Sequence, residues 1–372
     1  MKIGINGYEA VVPRFGYDKD SGLPNRVGSG EFCFQLLLSL YSFDKKNEYS
    51  IYLPIKPSDD FPRSTDQWRY KVFSAKKLWT LIGLSKKLRG ENLDVFFSPT
   101  HYLPVISPKK SIIAIFDVSY LHFPNLFRKK DLYQLKAWGG FSIKKSAKII
   151  TISKASKSDI IKAYGVNPDK VAVVYPGLKL INTPLLSMEN LTKKFGISKK
   201  YILFVGTIQP RKNIVRLIEA FAKLKNESLE LVIVGKKGWQ YKEIFDAPKK
   251  FEVDGKVRFL DSVSDDELSS FYKNAEFFIL PSLYEGFGLP VIEAMSYGCP
   301  VITSNISSLP EAGGDAALYV DPNSVTDIAS KMQKLLNDEE LKKELIEKGY
   351  KQAKKFSWEK SAKETLRVLE SL

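Results

Sequence analysis

The feature that most constrains this chain is an alternation kept up over its whole length. Short apolar runs rich in Val, Ile, Phe and Tyr are separated by longer segments whose apolar residues fall at helical spacing. In the first half the runs are at Lys2–Gly7, Tyr49–Leu53, Val95–Ser98, Ile112–Asp117, Ile149–Ser153 and Val171–Tyr175. In the second they are at Tyr201–Gly206, Leu229–Gly235, Val257–Leu260, Phe277–Pro281, Pro300–Ser304 and Ala317–Val320. None alternates strictly between apolar and polar, so each reads as a parallel strand covered on both faces. Strand and helix alternating in both halves predict an α/β protein of two doubly wound domains. A chain of 372 residues is long enough for two cores.

The boundary is expected where Pro176 and Gly177 end a strand, with Leu178–Pro184 as linker. That gives a first domain over 1–180, a second over 181–355, and a terminal segment over 356–372. In that segment Ser357-Trp358-Glu359 places a cap before a last helix, expected to pack back on the first domain.

Charge is divided unevenly between the halves. Residues 1–180 hold 29 Lys and Arg against 15 Asp and Glu, whereas residues 181–372 hold 28 against 27. An excess confined to one half points to an anionic partner there (a membrane surface, a phosphorylated lipid or nucleic acid), or equally to a lysine-rich composition whose charges solvate helix faces. Lys76-Lys77, Lys86-Lys87 and Lys129-Lys130 are the expected contacts. No nucleic-acid recognition motif accompanies the basic half. No window approaches the roughly 18 uncharged apolar residues of a membrane span. Met1–Gly7 reads as a first strand and not as a signal peptide. Cys33 and Cys299 each lie in an apolar stretch and read as buried thiols of a reducing, cytoplasmic compartment. The two histidines, His101 and His122, belong to no cluster with metal-ligand spacing, and no metal or cofactor is expected.

Chemistry concentrates in a few strand ends. In Phe277–Met295 a buried strand gives way to a loop bearing Glu285, Gly286, Phe287 and Gly288, then to a helix opening near Leu289-Pro290 and carrying Glu293. Proline suits a first helical turn, and glycines there let backbone N–H groups face an anion. Two glutamates eight residues apart, flanking a helix start, suit hydroxyl recognition. The segment Phe204–Asn213 is a second strand end, with Gly206 at its turn and Arg211-Lys212 just before a helix expected over Asn213–Lys225. Positive charge at a helix N-terminus opposes the helix dipole, so that pair reads as a diphosphate clamp facing the Glu285 loop. In the first domain, Gly28 and Gly30 precede the apolar helix Phe32–Tyr41 as a glycine loop too degenerate for a dinucleotide fingerprint. Asp117 is a candidate polar group just past a strand, with His101 and His122 near the same edge.

Taken together, these residues resemble glycosyltransferase family 4, a retaining group with the GT-B fold. The resemblance rests on EGFGLPVIE (Glu285–Glu293), GTIQPRKN (Gly206–Asn213), VIVGKKGW (Val232–Trp239), RFLDSVSDDEL (Arg258–Leu268) and PVITSNISSLPEAGGDAALYVDP (Pro300–Pro322). It implies two Rossmann-like domains facing each other across a cleft. The second would hold a nucleotide-sugar donor, and the first a glycan or lipid-linked acceptor. Glu285 would then hold sugar hydroxyls, and Glu293 the ribose. The backbone at Gly286, Phe287, Gly288 and Leu289 would meet sugar and phosphates, and Arg211 and Lys212 the diphosphate. Gly235, Lys236 and Lys237, with Asp261–Val263, would line the nucleobase. Gly28 and Gly30 would lie near donor phosphates or acceptor. Mannosyl transfer from GDP-mannose, without a metal as the resemblance implies, is the first expectation. UDP-glucose, UDP-N-acetylglucosamine and dTDP-rhamnose remain alternative donors. One position departs from the family pattern: Phe116 stands where many members carry histidine before Asp117. That departure keeps open a second reading, a catalytically inactive nucleotide-sugar-binding protein on the same fold.

Overall fold

The computed structural model describes residues 1–13, 16–17, 22–26, 28–75, 78–179, 185–197 and 200–372. Val27, Lys76-Lys77 and the 180–184 part of the expected linker lie outside the described residues. The chain forms two compact units, one of Met1–Gly177 with Ser357–Leu372, the other of Leu178–Phe356.

Among the described residues the first unit has seven strands: β1 (Lys2–Asn6), β2 (Glu48–Leu53), β3 (Trp68–Val72), β4 (Val95–Ser98), β5 (Ser111–Ala114), β6 (Lys148–Thr151) and β7 (Val171–Val173). They lie in the order β3-β2-β1-β4-β5-β6-β7. Every adjacent pair is parallel. Both faces of this sheet are covered, as the non-alternating runs require. Phe97, Ile112 and Ile150 point into one core cluster, and their chain neighbours Phe96, Ile113 and Ile149 into another.

Strand β3 is absent from the apolar runs. Its Trp-Arg-Tyr-Lys-Val alternates, because an edge strand keeps one face in contact with water. Strand β5 ends at Ala114, so Asp117 stands in the following loop, beyond Ile115 and Phe116, and not at the strand end.

The last helix, Trp358–Glu370, is capped by the Ser357 hydroxyl, which accepts from the Lys360 N–H. Its Trp358, Ala362 and Leu369 join Leu36, Leu37 and Leu40 of the helix Ser29–Phe43 in one buried cluster. Phe32 meets Trp358 edge to face, with ring centroids 5.5 Å apart.

The second unit has six strands: β8 (Lys200–Val205), β9 (Leu229–Val234), β10 (Val257–Leu260), β11 (Phe277–Leu280), β12 (Val301–Ser304) and β13 (Ala317–Val320). The order is β10-β9-β8-β11-β12-β13, again parallel throughout. In sequence order this is 3-2-1-4-5-6, the doubly wound arrangement with its switch point between the first and fourth strands. Helices on either side of that point leave in opposite directions. The crevice beyond the carboxyl ends of β8 and β11 is therefore where such a sheet binds ligands.

Gly177 has no room for a side chain: a Cβ there would overlap the backbone nitrogen of Trp358. Gly177→Ala is expected to push the terminal helix off its seat and destabilise the first unit by about 1–3 kcal/mol. Gly255→Ala, in open space, should change stability far less. Equilibrium denaturation of the two variants checks this.

Candidate functional site

Two loops leave the switch point of the second sheet and meet. After β8 the chain turns at Gly206 and passes through a 3₁₀ turn at Pro210–Lys212. Asn213 then takes a left-handed conformation (φ 62°) before the helix Ile214–Ala222. After β11 comes the loop 281–288. Its Leu283 N–H donates to the Arg211 carbonyl at 2.9 Å. The Asn213 amide donates to the Pro281 carbonyl at 3.0 Å and to the Pro322 carbonyl at 2.6 Å. Asn213 thus ties three loops to one another. Its sequence signal is weak, since asparagine tolerates left-handed turns anywhere.

At the meeting point the side chains carry charge. Lys212 Nζ donates to Glu285 Oε1 at 2.6 Å, and the Arg211 guanidinium to Glu285 Oε2 at 3.2 Å and to the Tyr284 carbonyl. Lys212 and Glu285 are both buried. Burial alone would raise the Glu285 pKa, but the Lys212 charge, then Arg211 and the Ser282 hydroxyl, outweigh it and hold the carboxyl at about 2. The basic pair expected to face the Glu285 loop is therefore in direct contact with its carboxylate. Charges placed this deep need a partner, and Glu285 supplies it.

The main chain around Glu285 is pinned from below. Its carbonyl accepts from Ser307 Oγ at 2.7 Å and from Ser308 Oγ at 2.8 Å. The Ser308 hydroxyl also lies 3.0 Å from the Phe287 carbonyl. Phe287 is buried, with its ring against Phe356 at 5.1 Å. Gly288 (φ 108°) turns the chain into the helix Leu289–Ser296, with Pro290 in its first turn. The helix begins between the two glutamates, as their spacing suggested. Glu293 lies just over one turn in, and its carboxylate accepts from the buried Tyr272 hydroxyl at 3.0 Å. Neither serine nor Tyr272 stands out in the sequence, because nothing in their spacing marks them.

The glycines Gly206 and Gly235 lie where the loops after β8 and β9 cross. A Cβ on Gly235 would fall on the Gly206 carbonyl oxygen, and both residues have positive φ (156° and 152°). Beyond the crossing the ladder continues. Ile208 N–H donates to the Lys236 carbonyl at 2.9 Å, and Gly238 N–H to the Ile208 carbonyl at 2.9 Å. Lys236 and Val263 are half-buried, in the loops after the neighbouring strands β9 and β10.

The first-unit candidates fare differently. The helix begins at Ser29 and so already contains Gly30, which is buried: a Cβ there would come within 2.9 Å of the Glu9 carbonyl oxygen. Gly30 thus serves close packing and not an open loop. At Gly28 (φ 56°) a Cβ would meet nothing within 4 Å among the described residues. Asp117 caps a turn, its Oδ1 accepting from Ser119 N–H at 2.8 Å. Phe116 packs edge-on against Phe32 (4.9 Å) and His101 (5.5 Å). His122 lies apart from that group, its Nε2 3.4 Å from Asp159.

Comparison with known proteins places these loops in a lineage. The family description "Glycosyl transferases group 1" matches residues 187–352, and "Glycosyltransferase Family 4" matches residues 52–180. The O-antigen chain mannosyltransferase B of Escherichia coli is 32% identical over 291 residues, 77% of this chain and 76% of that protein. The chain belongs to glycosyltransferase family 4. A further relative, the O-antigen chain mannosyltransferase RfbU of Salmonella typhimurium, is 29% identical over 70% of this chain and 69% of its own length. Among solved structures, Anabaena HepE in complex with UDP and glucose superposes with a TM-score of 0.73 at 17% identity, over 100% of both chains. WaaG, a glycosyltransferase involved in lipopolysaccharide biosynthesis, gives 0.70 at 16% identity over 99% of both. The fold of this glycosyltransferase is thus GT-B.

Removing one partner from a buried ion pair strands the other. Lys212→Met leaves Glu285 with Arg211 alone and is expected to destabilise the second unit by about 3 kcal/mol at pH 7. The sign with pH follows from a carboxyl held below its unfolded value. Its contribution is complete above about pH 4.5 and is lost as the pH falls toward 2. The gap between wild type and variant should therefore narrow on acidification, as denaturant titrations at pH 7 and pH 3 would reveal.

Proposed function

We propose that this glycosyltransferase moves mannose from GDP-mannose to a glycan or lipid-linked acceptor with retention of configuration. The observation that carries the reading is the Arg211–Lys212–Glu285 cluster at the switch point of the second sheet. The mannosyltransferase relatives support the choice of sugar. In this reading Arg211 and Lys212 neutralise the charge that grows on the diphosphate as the sugar–phosphate bond breaks. A preorganised pair in a buried site does this at little reorganisation cost. Glu285 takes hydroxyls of the sugar, and Glu293, steadied by Tyr272, takes the ribose. The acceptor hydroxyl attacks the oxocarbenium-like carbon from the face the diphosphate leaves, and its proton passes to the departing phosphate oxygen. No base is needed at Phe116.

A thermal-shift panel tests the donor, because a ligand that binds only the folded state raises its melting point. GDP and GDP-mannose should raise it by several degrees, and UDP and UDP-glucose far less. A UDP response over GDP would sink the mannose reading. Tight binding of every nucleotide sugar without turnover would favour the inactive-binder alternative.

The basic first unit is proposed to dock on an anionic membrane. No helix among the described residues is long and apolar enough to cross one. Between residues 101 and 150 there are nine Lys and Arg against two Asp and Glu. Within that stretch Val105 and Ile106 are 53% and 41% exposed. Their backbone is held on both sides. Val105 N–H donates to the Leu81 carbonyl at 3.1 Å and Ile106 N–H to Ser85 Oγ at 3.0 Å, while Lys145 Nζ reaches the Pro104 carbonyl at 3.3 Å. Ile82 and Phe141 of the same unit are also exposed, and Lys86, Lys87, Lys129, Lys130 and Lys144 add positive charge to it. An apolar tip in a basic setting suits a negative headgroup layer. Co-sedimentation with vesicles should show binding that needs anionic lipid and weakens with salt. Val105→Ser with Ile106→Ser should cut it about tenfold without lowering the melting point. Binding indifferent to lipid charge would refute the idea.

A further inference from the structure

The cations assigned to the donor diphosphate already hold an anion. Lys212 Nζ lies 2.6 Å from Glu285 Oε1, and Arg211 3.2 Å from Oε2, in a place where both Lys212 and Glu285 are buried. The Glu285 main chain is fixed by Ser307 and Ser308. The exchange of partners envisaged below needs only side-chain rotation, with these main-chain bonds kept. We infer that Glu285 is a resident counter-anion that the donor diphosphate displaces, and that this exchange makes the site prefer an intact nucleotide sugar to the spent nucleoside diphosphate. The inference rests on the donor-site reading above.

When a diphosphate enters, Lys212 and Arg211 turn part of their bonding to phosphate oxygens. Glu285 then loses charge-assisted hydrogen bonds in a site with little water, next to new negative charge. If a sugar comes with the diphosphate, its hydroxyls donate to Glu285 and replace what was lost. If the diphosphate comes alone, nothing does. Free nucleoside diphosphate therefore binds against a penalty that the donor escapes, and the product leaves after transfer because the sugar has gone. Glu285 is in this account a specificity-determining residue, acting by what it loses as well as by what it holds.

The test is Glu285→Gln, which removes the charge and keeps the shape. Calorimetric titrations of wild type and variant use GDP against GDP-mannose, and UDP against UDP-glucose. With the counter-anion gone, the nucleoside diphosphate should bind about tenfold tighter, the worth of one charge-assisted bond. The nucleotide sugar should gain nothing or weaken, so the preference for donor over product falls by tenfold or more. Inhibition by added product should strengthen in step. Glu285→Asp keeps the charge but draws it back from Lys212, and should shift affinity the same way by less. It carries the test if the glutamine variant does not fold. Nucleoside diphosphate binding no tighter in either variant overturns the inference while leaving the donor site in place. Failure of wild type to bind any of the four ligands overturns the donor-site reading, and the inference with it.

Discussion

The site depends on the pairing of β8 with β11, strands separated by more than seventy residues of chain. Phe277 pairs with Ile202 and Phe278 with Leu203. Only that register brings the end of one strand beside the end of the other, so that Arg211 and Glu285 come within reach. Both strands are completely or almost completely buried, and their hydrogen-bonded edges leave no freedom to slip. Asn213 then locks the two outgoing loops together through the Pro281 and Pro322 carbonyls. A rigid sheet edge with short, cross-bonded loops is what a preorganised charge site needs.

Electrostatics adds a second constraint. One carboxylate between two cations leaves the cluster with a net positive charge, which suits a ligand carrying more than one negative charge. Replacing such a cluster by well-packed apolar groups is often neutral or stabilising, because desolvating the charges offsets much of their attraction. Fold stability alone therefore gives little reason for such a cluster. The same holds for Gly235 and Gly206, whose crossing brings backbone, and not side chains, to the sheet edge.

Much of the architecture was legible because parallel strands announce themselves as unbroken apolar runs. Val257–Leu260 and Ala317–Val320 emerge as strands with the bounds that the pattern suggested. Trp68–Val72 was not legible, because an edge strand alternates and its Arg69 and Lys71 interrupt the run. At the site, the glutamates and the basic pair were visible as residue types at strand ends. That the pair faces the Glu285 loop was expected, but that it spends its charge on the Glu285 carboxylate was not, because side-chain pairing is a tertiary outcome that no local spacing encodes. Gly30 is ambiguous for a related reason: a glycine that admits a ligand and a glycine that admits the Glu9 carbonyl look alike in sequence.

Phe116 shows how a departure from a family pattern can be read physically. Its ring lies between Phe32 and His101, and Phe32 in turn meets Trp358 of the terminal helix. An apolar side chain here extends the core that seats that helix on the first unit, which an imidazole would do poorly because its polar nitrogens need partners when buried. If the leaving phosphate itself takes the acceptor proton, nothing in the transfer requires a titrating group at this position. Phe116 then costs the chemistry little, and the substitution says more about how the first unit is packed than about whether the enzyme turns over.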